Sequence, residues 1–328
     1  MEKKNRWFVF VTVISIGLGF AISASPTSAA EKEYPNREIN IIINTAPGGF
    51  SDLSCRVVAQ ELQKVMGVPI VIDNKAGAGG VIGINYLKTV KPDGYTLLVS
   101  SNAPFTLQPY LTPSVGFQWT DFVPIFAYAK SPNVIGVRTE SPFKTLKDLI
   151  EYAKKNPGKL SAGTSGVGSA GHIVLELLKI AEKLEIKNVP FKGGAPSLTA
   201  LLGGHTDIDI NAFTTIRTML QAGKIRPLAS TFGRVDEFKI SSLGDLGYPQ
   251  AELGLLGGVY GPKGIPQPVM NKIVAGYMKV VQNPEVIDKL QKIGSYPISW
   301  GPDEFAKAIG DEAKKLSDLV KKAKLSED

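Results

Sequence analysis

The chain has 328 residues, 43% hydrophobic and 20% charged, a balance that excludes a disordered chain and, at this length, a single ordinary core; two lobes are expected. Its formal charge of +7 is spread out, and the lysines that cluster near the C-terminus (Lys314, Lys315, Lys321, Lys322, Lys324) alternate with apolar residues at helical spacing, which marks a solvated helix face and not a nucleic-acid site. One cysteine, Cys55, and two histidines, His172 and His205, exclude an internal disulfide and argue against a redox pair or a transition-metal centre.

In chain order, the N-terminus carries Lys3, Lys4 and Arg6, then a mostly apolar stretch from Trp7 to Ile22, then small residues ending at Ala29 and Ala30. That layout predicts a secretory signal peptide over residues 1–30, cleaved near Ala30. Thr12, Ser15, Gly17 and Gly19 interrupt the stretch and make it a poor membrane anchor. Removing its three basic residues and one acidic residue leaves 34 basic against 29 acidic. Cys55 lies too far downstream to carry a lipid, so export is expected to end in soluble form.

Apolar β-rich runs then alternate with helical patterns. Glu38 to Asn44 reads as a strand, Asp52 to Met66 as a helix stopped by Gly67, Pro69 to Asp73 as a strand, and Val81 to Thr89 as a helix. The turn Lys91-Pro92-Asp93-Gly94 introduces a strand from Tyr95 to Ser100. This β-α-β-α-β order predicts parallel pairing with right-handed crossovers. A second α/β lobe follows: strand Asn133 to Arg138, helix Thr145 to Lys155, strand Lys159 to Ala162, helix Gly171 to Lys183 and strand Lys187 to Pro190. A helix opened by Pro196 and closed by Gly203-Gly204 comes next, with strands at Asp207 to Ile210 and Ile225 to Thr231. A return strand and turn begin at Leu253, and the remainder reads as mostly helical: Val269 to Gln282, Pro284 to Lys292 and Pro302 to Lys322.

Two glycine-rich loops, each linking an apolar run to a helix, carry the chemical signal. The first is Pro47-Gly48-Gly49-Phe50-Ser51-Asp52 and the second Thr164-Ser165-Gly166-Val167-Gly168-Ser169-Ala170-Gly171-His172. Amides at a helix N-terminus have no intrahelical acceptor and the dipole adds about half a positive charge, so such loops receive a carboxylate or phosphate without Arg or Lys. No Lys-Ser/Thr follows the first glycines, so it is not a P-loop. The second matches a dinucleotide fingerprint in form, yet the next strand ends Asn188-Val189-Pro190, without the ribose-binding acid. Gly163-Thr164-Ser165-Gly166-Val167 lacks the final glycine of a nucleophile elbow. The residues read as a binder and not an enzyme, with no cofactor and no metal. His172, at a helix start, either faces a ligand or packs locally.

The ordered series NTAPGGFSDLSCR, DNKAGAGGVIG, KPDGYTLL, NPGKLSAGTSGVGSAGH, VPFKGGAPSLTALLGGHTDI, AGKIRPLA, GPKGIPQPVMNKI and NPEVIDKLQKIG resembles the extracytoplasmic solute receptors of tripartite tricarboxylate transporters, the Bug proteins, over essentially the whole mature chain. The resemblance implies an α/β, two-lobed periplasmic binding protein (type II-like), each lobe a mixed sheet flanked by helices with a hinge between. Lobe 1 would comprise 31–131 plus 254–328, and lobe 2 would comprise 132–253. It implies capture of a small di- or tricarboxylate, or an aromatic or other organic acid, and delivery to the integral-membrane permease subunits of such a transporter. The binding residues it implies are Gly48, Gly49, Phe50, Ser51 and Asp52 from the first loop, and Thr164, Ser165, Gly168, Ser169 and His172 from the second. The segment Asn74 to Gly80, Asn74 and Gly79 above all, would support the first lobe's pocket, and Lys192 to Ala195 (with Gly193 and Gly194) and Asn211 to Phe213 would line the second. The chain departs from the family where Asn44 and Thr45 replace a usual Pro and aromatic, and where Phe50 replaces a small residue; Phe50 is either a pocket wall or a packing residue. Two other readings stay open at this point: a nucleotide-dependent oxidoreductase using the Gly166 loop, and a receptor that presents its ligand to a membrane sensor.

Overall fold

The Ile-rich run after residue 38 forms β1 (Ile39–Ile43), followed by α1 (Phe50–Met66), β2 (Ile70–Asn74), α2 (Val81–Thr89) and β3 (Thr96–Ser101) in a computed structural model that describes residues 33–323. The expected signal peptide lies outside the described residues. β1 pairs in parallel with both β2 and β3, and Ile39, Ile41, Ile42 and Ile43 are all buried, as expected of a parallel strand covered on both faces. α1 ends where the sequence stops it, with Gly67 in the left-handed region at φ 72°.

Two short helical turns, α3 (Ala103–Thr106) and α4 (Gln108–Leu111), lead into the 17-residue β4 (Phe122–Arg138). The sequence predicts only its last third, because Pro124 and Pro132 break the strand pattern; β4 absorbs irregular stretches through register shifts at Pro124/Phe126 and Ala127/Ala129. Next come α5 (Leu146–Lys155), β5 (Leu160–Thr164), α6 (Ala170–Glu182), β6 (Ile186–Pro190), α7 (Gly194–Leu202), β7 (Ile208–Ala212), α8 (Phe213–Gln221) and β8 (Ile225–Ser230). The chain closes with β9 (Gly254–Pro262), α9 (Gln267–Val281), α10 (Pro284–Lys292), β10 (Tyr296–Trp300) and α11 (Pro302–Ala323). Four of these elements are absent from the sequence reading: the short α3 and α4, α8 and β10. α8 is rich in Thr, a poor helix former, and buries Phe213, Ile216 and Leu220; β10 is a short edge segment whose Pro297 weakens its pattern.

The sheet is mixed, with strand order β2-β1-β3-β9-β4-β7-β5-β6 and with β8 and β10 paired to β4. β9 runs antiparallel to both β3 and β4, whereas β5 is parallel to β6 and β7. β4 is shared: residues 122–132 pair with β9, and 133–138 pair with β7 and β8. One continuous strand therefore passes from the β1 side of the sheet to the β5 side. α11 is tied to the β1 side by Glu312, which accepts from Asn102 Nδ2 at 2.6 and 2.7 Å and from Thr106 Oγ1 at 2.9 Å, while Asn102 Oδ1 accepts the Leu256 amide at 2.9 Å. Burial pushes the Glu312 carboxyl above the usual range, and the Asn102 and Thr106 hydrogen bonds oppose that rise. Cys55 is fully buried in the core, where desolvation pushes its thiol up to about 12; it packs as a small apolar side chain.

Candidate functional site

Where the strands of the two sides end, a cavity of about 50 Å³ open to water-sized groups is ringed by helix starts. Gly49, Phe50 and Ser51 at the start of α1 line it, as do Gly80, which caps α2, Ser169 and Ala170 at the start of α6, Gly194 at the start of α7, and Ala212, which caps α8. Five helices of nine residues or more thus present N-terminal turns to one space. Asn44, Thr45, Gly77, Gly79, Ser101, Pro104, Asn133, Ser165, Lys192, Asn211 and Leu255 complete the wall. Lys192, exposed at its edge, is the one charged residue among them, and no carboxylate lines the cavity. Helix dipoles directed at one space favour a negative charge there.

Each loop is held by its own device. Asp52, three residues into α1, reaches back to accept the Gly48 amide at 2.9 Å, and also accepts from Arg56 Nε at 3.0 Å and Asn74 Nδ2 at 3.1 Å. Burial works against ionisation of this carboxyl, yet the hydrogen bonds from Arg56, Gly48 and Asn74 hold it below the usual carboxylate range. On the other side Ser169 caps α6 by accepting the His172 amide at 3.3 Å, and His172 Nδ1 accepts the Gly168 amide at 3.1 Å. Asn211 donates to the Gly194 carbonyl at 2.8 Å and to Asp209 at 3.0 Å, and accepts the Ala212 amide at 2.8 Å, which locks the start of α7 to the end of β7.

Glycines let the two sides touch. The Ala46 amide donates to the Lys192 carbonyl at 3.0 Å, and Gln108 Nε2 donates to the Val167 carbonyl. A Cβ on Gly79, whose φ is 61°, would overlap that same carbonyl oxygen, and one on Gly166 would stand 3.1 Å from Gly79 Cα. These glycines serve backbone-to-backbone approach across the cavity. In this conformation Gly166 packs against Gly79 and the Phe191 carbonyl.

Of the residues singled out from sequence, Gly49, Phe50, Ser51, Gly79, Ser165, Ser169, Lys192, Gly194, Asn211 and Ala212 line the cavity. The structure places the others behind it. Gly48, Asp52 and Asn74 form the knot described above; Gly168 and His172 are spent on each other. Thr164 is buried and donates to Asn188 Oδ1 at 2.9 Å. Gly193 and Ala195 pack against Ala46 and Gly48 respectively. Phe213 is in a core cluster, edge-on to Phe238. Phe50 is among the residues lining the cavity, and its ring packs on Gly257, where a Cβ would stand 2.8 Å from the ring.

The sequence profile of the tripartite tricarboxylate transporter family receptors matches residues 54–325. The chain belongs to that family. Protein BugT of Bordetella pertussis is 31% identical over 315 residues, covering 95% of this chain and 96% of the relative. Among solved structures, the periplasmic binding protein BugD superposes with a TM-score of 0.85 at 28% identity, covering 90% of this chain and 100% of that one. An R. palustris protein solved with adipate gives 0.84 at 28% identity over 89% and 98% of the two chains. MatC from Rhodopseudomonas palustris with bound malate gives 0.82 at 25% identity over 88% and 100%. The fold is that of periplasmic binding proteins of this receptor family, and among the described residues no helix is long and apolar enough to cross a membrane.

Sequence reasoning missed Ser101, Pro104, Asn133 and Leu255 of this receptor's cavity. They sit at or just beyond ends of β3 and on β4 and β9, far apart in sequence, and converge only through the strand order. Asn44 and Thr45 stood out only as departures from the family pattern. The available signal was the polar triplet Ser100-Ser101-Asn102 closing an apolar strand ahead of a helix, the same arrangement as in the two glycine loops.

Proposed function

We propose that this chain is an exported solute receptor that captures one small organic carboxylate in the cavity and delivers it to the membrane permease subunits of a tripartite tricarboxylate-type transporter. The observation that carries this is the convergence of five helix N-terminal turns on a cavity without any carboxylate. The two sides of the sheet act as lobes, 31–131 plus 254–328 and 132–253, hinged where the chain crosses between them. Ligand favours the shut form because its anion is fully hydrogen-bonded only when both sides contribute. The binding set is Gly49, Ser51, Ser165, Ser169, Gly194 and Asn211, with Phe50 as an apolar wall and Asp52, Asn74 and His172 as positioning residues. The solved relatives with adipate and malate support the ligand class, and the signal-like N-terminus supports export to the periplasm.

A thermal-shift screen of the chain from Glu31 tests this. Ligand that binds only the native state adds about 2.7 kcal/mol at a hundredfold excess over Kd, so mono-, di- or tricarboxylates should raise Tm. A shift with NAD or ATP and silence from every carboxylate would overturn the reading.

A further inference from the structure

β1 runs out into Asn44 and Thr45, and both line the cavity. Asn44 is 1% exposed. Its Nδ2 donates to Ser100 Oγ at 2.9 Å, and Ser100 Oγ donates to the Ser101 carbonyl at 2.8 Å. A hydroxyl has one proton, and this one is committed to the carbonyl, so Ser100 can only accept from Asn44. The Asn44 amide therefore cannot be flipped, and its Oδ1 is fixed as an acceptor. That Oδ1 is buried without a hydrogen-bond partner in the protein, as are Thr45 Oγ1 and Asn133 Nδ2 of the same cavity wall.

Helix N-termini supply donors only. They satisfy a carboxylate, and they leave Asn44 Oδ1 unserved; a simple carboxylate, itself an acceptor, does not serve it either. A ligand that brings an O–H or N–H to that point would serve it directly. An ammonium group is disfavoured there, because five helix N-terminal turns and Lys192 surround the cavity and no carboxylate faces it. A hydroxyl meets the requirement without charge.

We propose that the ligand is a hydroxy acid, its carboxylate held by the helix N-termini and its hydroxyl read by the polar edge formed by Asn44 and Thr45. This rests on the receptor reading above and narrows it to a chemical class. A site that hydrogen-bonds a hydroxyl discriminates strongly against the analogue lacking it, since the buried partner is then left unpaired.

Titration calorimetry on the chain from Glu31 with matched acids is the test: malate and succinate, lactate and propionate, mandelate and phenylacetate. In at least one pair the hydroxy acid should bind roughly tenfold or more tightly than its partner. Asn44→Leu should bring that ratio close to one while the deoxy acid keeps its affinity. If Asn44→Leu does not fold, Thr45→Val, which replaces one hydroxyl by a methyl, decides instead: a reduced ratio supports the assignment and an unchanged one overturns it. Deoxy acids binding as well as their hydroxy partners in every pair, or a preference that survives in folded Asn44→Leu, also overturns it and leaves the receptor reading standing. Silence from all six acids and from the wider carboxylate panel removes both.

Discussion

Two buried carboxylates stand behind the cavity, one on each side of the sheet, and they are held in opposite ways. Asp52 has a guanidinium, an amide side chain and a backbone amide around it, and these keep it ionised although burial opposes this. Asp209 is fully buried and accepts from the Ser197 hydroxyl and Asn211 Nδ2, with no cation beside it. Burial pushes its carboxyl up to about 7. The α1 loop is thus braced by charge, and the α7–β7 corner by a group that titrates near neutrality. Their contributions to stability run in opposite directions with pH. The depressed pKa of Asp52 stabilises above the ordinary carboxylate pKa of about 4 and is lost as pH falls through the lower native value. The raised pKa of Asp209 stabilises below about 4 and is lost as pH rises towards 7.

The sharpest way to break this contrast is Asp52→Ala. It strips three donors of their acceptor at once, Gly48, Arg56 and Asn74, and should lower stability by about 2 to 3 kcal/mol in urea unfolding at pH 7. The loss should shrink in acid, where the native carboxylate is itself protonated. A variant as stable as the parent at pH 7 would show that the knot does not brace the loop. Gly79→Ala comes next. Its φ of 61° and the Val167 carbonyl across the cavity both oppose a Cβ, at about 1 to 2 kcal/mol for the backbone alone. Because the overlap exists only when the two sides touch, affinity for the tightest acid in the screen should fall roughly tenfold or more while urea stability changes less. Equal losses in both would mean that the contact belongs to the fold and not to closure.

The same contrast shows what could be seen in the sequence. Glycine, serine and an apolar strand before a helix are local features, so the loops that bring Gly49, Ser51, Ser165 and Ser169 to the cavity wall stand out in the sequence itself, whereas Gly194 is reached only through the family resemblance. Asp52 and His172 have the right composition for a site and lie in the right loops, yet whether a side chain turns inward or back onto its own amides depends on helix register and on Asn74 and Gly168. Asn133 and Leu255 come from β4 and β9, whose neighbours are set by long-range antiparallel pairing. No local pattern encodes that pairing. The parallel order of β1, β2 and β3 was legible because crossover helices separate them; α8 was not, because its burial of Phe213 and Ile216 outweighs weak propensity.

On the β5 side, Asp209→Asn should flatten the fall in stability between about pH 4 and pH 7 and add on the order of 1 kcal/mol at pH 7, where the parent must keep a proton or bury a charge. Unfolding midpoints across that window decide it: an unchanged slope would show that the parent's proton is bound elsewhere. The smallest expected effect is at Lys192. Its side chain is exposed at the edge of the cavity, and its backbone carbonyl, not its ammonium, makes the contact with Ala46. A solvated cation at this position raises the local anion concentration and the association rate more than the final affinity, and salt screens it within about 8 Å at 0.15 M. Lys192→Ala should therefore change Kd by no more than about threefold at physiological ionic strength, with a larger drop in association rate at low salt. A tenfold loss that salt does not weaken would place the ammonium on the bound acid itself, and recognition on the β5 side would then be ionic and no longer carried by helix N-termini alone.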